Sequence, residues 1–139
     1  MAWPRGIYFN VYIKGASMVL KLSKIKIFND AKIFEKLKGI KDLSPVQKWA
    51  LTKFVKKVDE ELNDLEVVRI DQIKRLGVAL DPEDTGKLTV PDDKMSEFYE
   101  LIQTVLNKDI EFPDFKLKPE EVGDFSIQEL LIMEDLIDG

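Results

Sequence analysis

The stretch that decides the fold is residues 44–77, which read SPVQKWALTKFVKKVDEELNDLEVVRIDQIKRLG. Ser44 in the capping position, Pro45 in the first turn and Gln47 three residues after the cap are typical of a helix start. Apolar residues then recur at helical spacing as far as a stop at Gly77. The pattern predicts a helix about 48 Å long. This is long for a chain of 139 residues, so we expect one end to project.

The chain before this helix shows two extended patterns. Residues 7–14 alternate apolar and polar side chains, which predicts a strand with one buried face. A second extended run is predicted over residues 19–28. The phase of its apolar residues slips at Ser23 and Lys24, which indicates a bulge or a break there.

Three shorter helices are predicted around the long one. The first is capped by Asn29 or Asp30 and closed by Gly39 in the left-handed conformation that ends many helices. The second opens at Pro91, and the third opens at a capping box that begins with Ser126. The last helix is expected to turn four apolar residues inward: Ile127, Leu130, Leu131 and Ile137.

Two more extended elements complete the expected fold. Residues 78–80 and 87–90 flank a turn-rich segment and predict a small hairpin. Residues 110–117 predict a strand whose Pro113 restricts it to a sheet edge or a bulge. The whole predicts an α+β fold, with a small antiparallel sheet packed against a long central helix and three shorter helices. Residues 1–139 are expected to form a single domain.

The sign of the charge reverses along the chain. Residues 1–57 carry 13 Lys and Arg against 3 Asp and Glu, a net of +10, whereas residues 58–139 carry 8 against 23, a net of −15. Opposed halves of this kind attract each other within one domain, or bind a charged macromolecular partner. An acidic surface that imitates nucleic-acid phosphate is one form of the second alternative.

The composition excludes several kinds of chemistry. The sequence has no histidine and no cysteine, which excludes disulfides, thiolate zinc sites, cysteine nucleophiles and histidine bases. Its seven glycines are scattered singly, so it has no glycine-rich phosphate loop. Its many carboxylates show no pair placed for acid–base catalysis. We therefore expect a protein that is not an enzyme and has no cofactor. No apolar run approaches the ~20 residues that cross a bilayer, so we expect no membrane contact and a cytoplasmic location.

One segment has the spacing of a calcium loop. Four side chains with oxygen ligands fall at positions 1, 3, 5 and 12 of such a loop: Asp81, Glu83, Thr85 and Asp92. Asp92 stands where the loop normally has a bidentate Glu, and two prolines stiffen the segment. The alternative is an acidic hairpin turn in which Gly86 has a positive φ angle, and we favour it.

A set of lysines is the main candidate for partner binding. The set comprises Lys48, Lys53, Lys56 and Lys57 on the long helix, and Lys21, Lys24 and Lys26 on the second extended run. Positive charge in the first turns of a helix opposes its macrodipole, so helix stability does not explain it. The alternatives are a phosphate-binding face, or ion pairs such as Lys56–Glu60 and Lys57–Glu61. All positive residues from 14 to 57 are lysine, and the absence of arginine makes nucleic acid the less favoured partner.

The first residues contain a second candidate start. The codons for Lys14, Gly15 and Ala16 can contain a ribosome-binding sequence a short spacer before the codon for Met18. Met18 is therefore an alternative start to Met1, and the segment before it an N-terminal extension. An intact mass that begins at Met1 in the native protein would contradict this hypothesis.

From Leu20 to Ile137 the chain resembles a family of small, uncharacterised proteins encoded by tailed bacteriophages and prophages of Gram-positive bacteria. The similar stretches are the lysine-rich segment 21–26, the long helix, the turn at 81–90, the following helix and the closing segment 125–137. Residues 1–17 lie outside the resemblance. It implies a phage accessory protein, without an assigned active site, that modulates or inhibits a host protein by binding it in the host cytoplasm. The alternative that it implies is a small structural or assembly component of the virion.

Overall fold

The computed structural model describes residues 17–81 and 84–138, and these form an α+β fold. Five helices and four strands, numbered in chain order, occupy the described part of the chain. They are β1 (Ser17–Lys21), α1 (Leu22–Asp30), α2 (Ile33–Lys38), α3 (Pro45–Leu76), β2 (Val78–Asp81), β3 (Asp84–Thr89), α4 (Asp92–Leu106), β4 (Asp109–Pro113) and α5 (Ile127–Ile132). Short 3-10 turns cover Pro119–Glu121 and Glu134–Leu136.

The long helix α3 has the predicted bounds. The Gln47 backbone N–H donates to Ser44 Oγ at 3.2 Å, and the Ser44 N–H donates to Gln47 Oε1 at 3.0 Å. This is the capping box, and Pro45 occupies the first turn. At the other end the Gly77 N–H donates to the Ile73 carbonyl at 2.7 Å. A Cβ at position 77 would lie 2.3 Å from that carbonyl oxygen, so glycine is required there for close approach.

The core forms around the first half of α3. Phe54 is fully buried, and its ring centroid lies 5.9 Å from Phe34, 5.7 Å from Phe112 and 6.3 Å from Phe115. Phe28 extends the cluster, with its centroid 6.0 Å from that of Phe34. Edge-to-face and offset aromatic pairs at these distances stabilise a core beyond their area burial. Helices α1 and α2, strand β4 and the segment after it therefore converge on one side of α3.

Two small antiparallel sheets accompany the helices. β1 pairs with β4, and its register runs from Ser17 opposite Pro113 to Lys21 opposite Asp109. β2 pairs with β3 and forms the predicted hairpin, with Val78 opposite Thr89. Pro113 ends β4 in a two-stranded sheet, which agrees with the predicted edge position.

The prediction of an extended run over residues 19–28 was wrong beyond Lys21. β1 ends there and residues 22–30 form α1. Leu22, Ile25 and Phe28 are at most 2% exposed, and their spacing of three is helical. The slip at Ser23 was therefore a change of period and not a bulge. The additional helix raises the number of shorter helices from three to four.

Gly39 closes α2 as predicted, but the predicted N-cap and the predicted left-handed conformation of Gly39 were wrong. Lys32 is the N-cap residue and has φ 59°, whereas Asn29 and Asp30 end α1. Gly39 has φ −85°, so the left-handed residue lies before the helix and not after it. With a hydrogen bond from the Lys32 N–H to the Asn29 carbonyl, the chain turns sharply between α1 and α2.

The closing segment is shorter and less buried than predicted. α5 has six residues, and its Ile127 and Leu131 are 78% and 66% exposed instead of facing inward. Met133 and Leu136, after the helix, are fully buried. The predicted strand at 110–117 ends at Pro113, and Leu117 forms an isolated parallel bridge with Ile137. The predicted strand at residues 7–14 lies outside the described residues.

Candidate functional site

The predicted lysine set does not form one face. Lys21 lies at the end of β1, and Lys24 and Lys26 lie on α1 instead of a strand. The other four lie on the first half of α3. Lys24 and Lys48 line two separate concavities that share no residue. The structure thus divides the candidate residues into two groups with different surroundings.

The first group is neutralised within the molecule. All three members have a carboxylate partner: Lys21 with Asp109 at 3.4 Å, Lys26 with Asp30 at 2.9 Å, and Lys24 with Asp135. Asp109 and Asp135 belong to the acidic half of the sequence. These pairs are solvent-exposed in part, and each contributes at most about 1 kcal/mol to stability. Their main effect is to remove free positive charge from this side of the protein.

A further contact between the halves involves a lysine outside the predicted set. Lys36 Nζ lies 2.7 Å from Glu129 Oε1 and 5.4 Å from the centroid of the Phe125 ring. Its hydrogen bond, together with that from the Ser126 backbone N–H, lowers the pKa of Glu129. Ion pairs within the protein therefore balance part of the opposite charges of the two sequence halves, as one of the two alternatives predicted.

The second group is only partly neutralised. Lys57 Nζ lies 3.0 Å from Glu61 Oε1, as predicted, and this hydrogen bond raises the pKa of Lys57. Lys53 Nζ lies 5.1 Å from the centroid of the Trp49 ring. Within the described residues, neither Lys48 nor Lys56 has a carboxylate partner, so the predicted Lys56–Glu60 pair is not formed. Free positive charge remains on the first half of α3.

Three concavities on the described surface are candidate sites. One, between β1, α1 and the closing segment, contains the Lys21–Asp109 and Lys24–Asp135 pairs. Another, beside α2, mixes two lysines with four carboxylates. The third lies between α2 and α3, encloses about 430 Å³, and has no carboxylate in its lining. We call it the lysine groove, and its residues are Leu37, Lys38, Ile40, Leu43, Lys48, Leu51, Thr52 and Val55.

The lysine groove has an apolar floor and a basic rim. Leu37 is fully buried, and Leu43 and Leu51 are 6% and 7% exposed. Lys38 and Lys48 are exposed, and in the described part of the chain neither side chain has an ion-pair partner. The groove also adjoins the N-terminus of α3, where the helix macrodipole adds positive potential. The site therefore favours a ligand with both apolar groups and carboxylates.

The sequence pattern did not reveal the groove. The helical spacing of apolar residues places Leu51 and Val55 on the core face of the long helix, and no motif in the sequence distinguishes Lys38 from the other lysines. A signal was present, because the spacings of three and four place Lys48, Leu51 and Val55 along one side of the long helix. No pattern within one helix could place Lys38 of α2 opposite Lys48 of α3.

The calcium loop stays a prediction. Glu83 lies outside the described residues, and Asp92 is the first residue of α4. Among the side chains that the structure describes, which exclude those of residues 80–85, no group of three acidic side chains could hold a metal ion.

The described helices include none that is long and apolar enough to cross a membrane. Comparisons with protein-family models, with curated proteins and with solved structures give no match to the chain. The resemblance to the phage family therefore depends on the sequence features alone.

Proposed function

We propose that this is a non-catalytic binding protein whose lysine groove takes an acidic, apolar segment of another protein. The observation that supports it best is the combination of a buried leucine floor with Lys38 and Lys48, which have no intramolecular partner among the described residues. The resemblance suggests the class of partner. It would be a host protein that is modulated or inhibited, or a neighbouring component of a phage particle.

The chemistry of the groove favours a protein segment over nucleic acid. Apolar side chains on an amphipathic helix can fill a floor of leucines, and flanking carboxylates can pair with the two lysines. The phosphates of a nucleic acid would pair with the two lysines, but the backbone would make no apolar contact with the leucines of the groove floor. Arginine, which makes most specific contacts to bases, is missing from the groove.

The test uses defined probes and fluorescence anisotropy. The first probe is a labelled 18-residue amphipathic peptide of Leu and Glu, and the second replaces every Glu by Lys. The third replaces every Leu by Ser, and the fourth is an 18-nucleotide single-stranded DNA. We expect the Leu/Glu peptide to bind best, because it alone satisfies both the floor and the rim.

Charge-reversal variants identify the groove as the site. Replacing Lys38→Glu together with Lys48→Glu should weaken binding of the Leu/Glu peptide at least tenfold. Replacing Lys87→Glu together with Lys94→Glu makes the same charge change on exposed residues away from the groove, and should have little effect. Equal losses in both double variants would show non-specific charge attraction and contradict the proposal. Tighter binding of the DNA, lost in the groove variant, would favour nucleic acid instead.

A further inference from the structure

A second surface lies on α3, on the side away from the core. Its residues follow one another at alternating spacings of three and four, the spacing of a coiled-coil seam. We call this the outer stripe, and it consists of Val46, Trp49, Lys53, Lys56, Glu60, Asn63, Val67, Ile70 and Lys74. It shares no residue with the lysine groove.

Both ends of the outer stripe are apolar and exposed. Val46 and Trp49 are 57% and 49% exposed near the start of α3, and Val67 and Ile70 are 57% and 39% exposed near its end. The buried side of the same helix holds Phe54, together with other core residues. No described element of the chain covers the stripe. The two apolar pairs are therefore available for contact with another chain.

The charges of α3 are opposed along its length. From residue 45 to 57 the helix carries four lysines and no acid, and from 58 to 71 it carries six acids and one arginine. A parallel pair of such helices would place like charges opposite each other. An antiparallel pair would place the basic part of each helix against the acidic part of the other.

We infer that a second copy of this chain packs its α3 antiparallel against the outer stripe, in a two-fold symmetric dimer centred near Glu60. In this register Trp49 of each copy faces Ile70 of the other, whereas Val67 faces Lys53 and Val46 faces Lys74. Lys53 of each copy lies beside Asp64 of the other, and the lysines at 56 and 57 flank the two Glu60 side chains at the axis. A two-fold contact of this kind needs one self-complementary patch, which the outer stripe provides.

The size of the stripe limits the expected affinity. A strip about 44 Å long and about 10 Å wide presents roughly 440 Å² on each copy. This is below the ~800 Å² on each partner of a standard stable interface. We therefore expect a dissociation constant in the micromolar range, which sets the concentrations that the experiment must cover.

Sedimentation velocity from about 1 to 500 µM tests the inference. The unmodified chain should shift from monomer to dimer as concentration rises. Replacing Val67→Lys together with Ile70→Lys should raise the dissociation constant at least tenfold, and because both side chains are exposed the fold should be retained, as circular dichroism would show. Replacing Ile127→Lys together with Leu131→Lys makes the same change on exposed apolar residues of α5, outside the outer stripe, and should leave the dimer unchanged. A monomer at all concentrations would overturn the proposal.

Charge exchange and cross-linking then test the orientation. Lys53→Glu alone and Asp64→Lys alone should each weaken the dimer, and the two together should restore it. The chain has no cysteine, so introduced cysteines can pair only with each other. A mixture of Trp49→Cys and Ile70→Cys chains should give the mixed disulfide, whereas preferential disulfides between identical chains would overturn the antiparallel arrangement. Failure of these tests leaves the lysine groove unaffected, because the peptide assay is independent of the dimer.

Discussion

The two halves of α3 differ in how much of the protein covers them. In the first half, Leu51, Phe54 and Val58 are buried, and Phe54 packs against rings of α2, β4 and the segment after β4, whereas after Val58 only Leu65 and Leu76 are buried. Hydrophobic burial is the main favourable contribution to folding. The first half should therefore dominate stability. The second half, which is supported mainly by α4 and the β2–β3 hairpin, offers more of its surface for contact.

The largest expected effect is in the first half of α3. Phe54→Ala removes a fully buried ring that contacts three others, and should reduce the free energy of unfolding by about 3–5 kcal/mol. Leu65→Ala in the second half should cost about 2 kcal/mol, at the lower end for leucine, because its side chain is 9% exposed. Urea unfolding followed by circular dichroism measures both. Equal losses of unfolding free energy in the two variants would contradict the inference that the first half of α3 dominates stability.

The end of α3 should be sensitive to a single methyl group. In Gly77→Ala the new Cβ would lie 2.3 Å from the Ile73 carbonyl oxygen and 3.3 Å from Leu88 Cβ, so backbone must move. We expect a loss of about 1–3 kcal/mol, typical of overpacking. Gly123→Ala is the control, because a Cβ there meets no atom within 4 Å. An unchanged free energy of unfolding in Gly77→Ala would show that the backbone at the end of α3 shifts at little cost.

The start of α3 should show a smaller effect. Ser44→Ala removes the side-chain acceptor for the Gln47 N–H and should reduce the free energy of unfolding by about 1 kcal/mol. Ser44→Asp keeps an acceptor and a favourable charge at the helix N-terminus, so it should retain most of the stability. Thermal unfolding of the two variants makes the comparison. An unchanged Tm in Ser44→Ala would contradict a role for the cap.

The smallest expected effect concerns the contact between the basic and acidic halves. The pKa of Glu129 is lowered by Lys36, so this carboxylate stabilises the fold above its ordinary pKa near 4.5 and loses that contribution as pH falls through its lower folded value. Lys36→Met should therefore be less stable than the unmodified chain at pH 7, by a difference that shrinks below pH 4.5. Unfolding midpoints from pH 7 to pH 3 test this. A difference that stays constant with pH would assign the effect to packing on Phe125.

The sequence predicted elements best where local signals agreed. The bounds of α3 follow from a cap, a helical period and a stop within one segment, and the hairpin and α4 follow from similar local signals. α1 was missed because Leu22, Ile25 and Phe28 are too few to distinguish a helical period from a strand with a phase slip. The prediction that Ile127 and Leu131 face inward was wrong because the local sequence of a short helix does not indicate which of its apolar residues pack against the core. Burial of such residues depends on neighbours far away in the sequence.

The candidate site was less predictable than the fold. The sequence indicated four lysines on the first half of α3, and three of them, Lys48, Lys53 and Lys56, remain without a carboxylate partner in the described part of the chain. It did not indicate that Lys21 and Lys24 would be paired with Asp109 and Asp135, because those partners lie in another part of the sequence. The sequence did not predict the lysine groove for the same reason, since its two sides come from separate helices.

The pairing of β1 with β4 has a consequence for synthesis on the ribosome. Lys21 Nζ donates to the Asn107 carbonyl, a residue 86 positions later. At about 5–20 residues per second, roughly 4–17 s pass between the synthesis of the two. During that interval β1 lacks the strand that later pairs with it, and its edge is exposed. The nascent chain is therefore expected to be most prone to aggregation, and most dependent on chaperones, before residue 113 emerges.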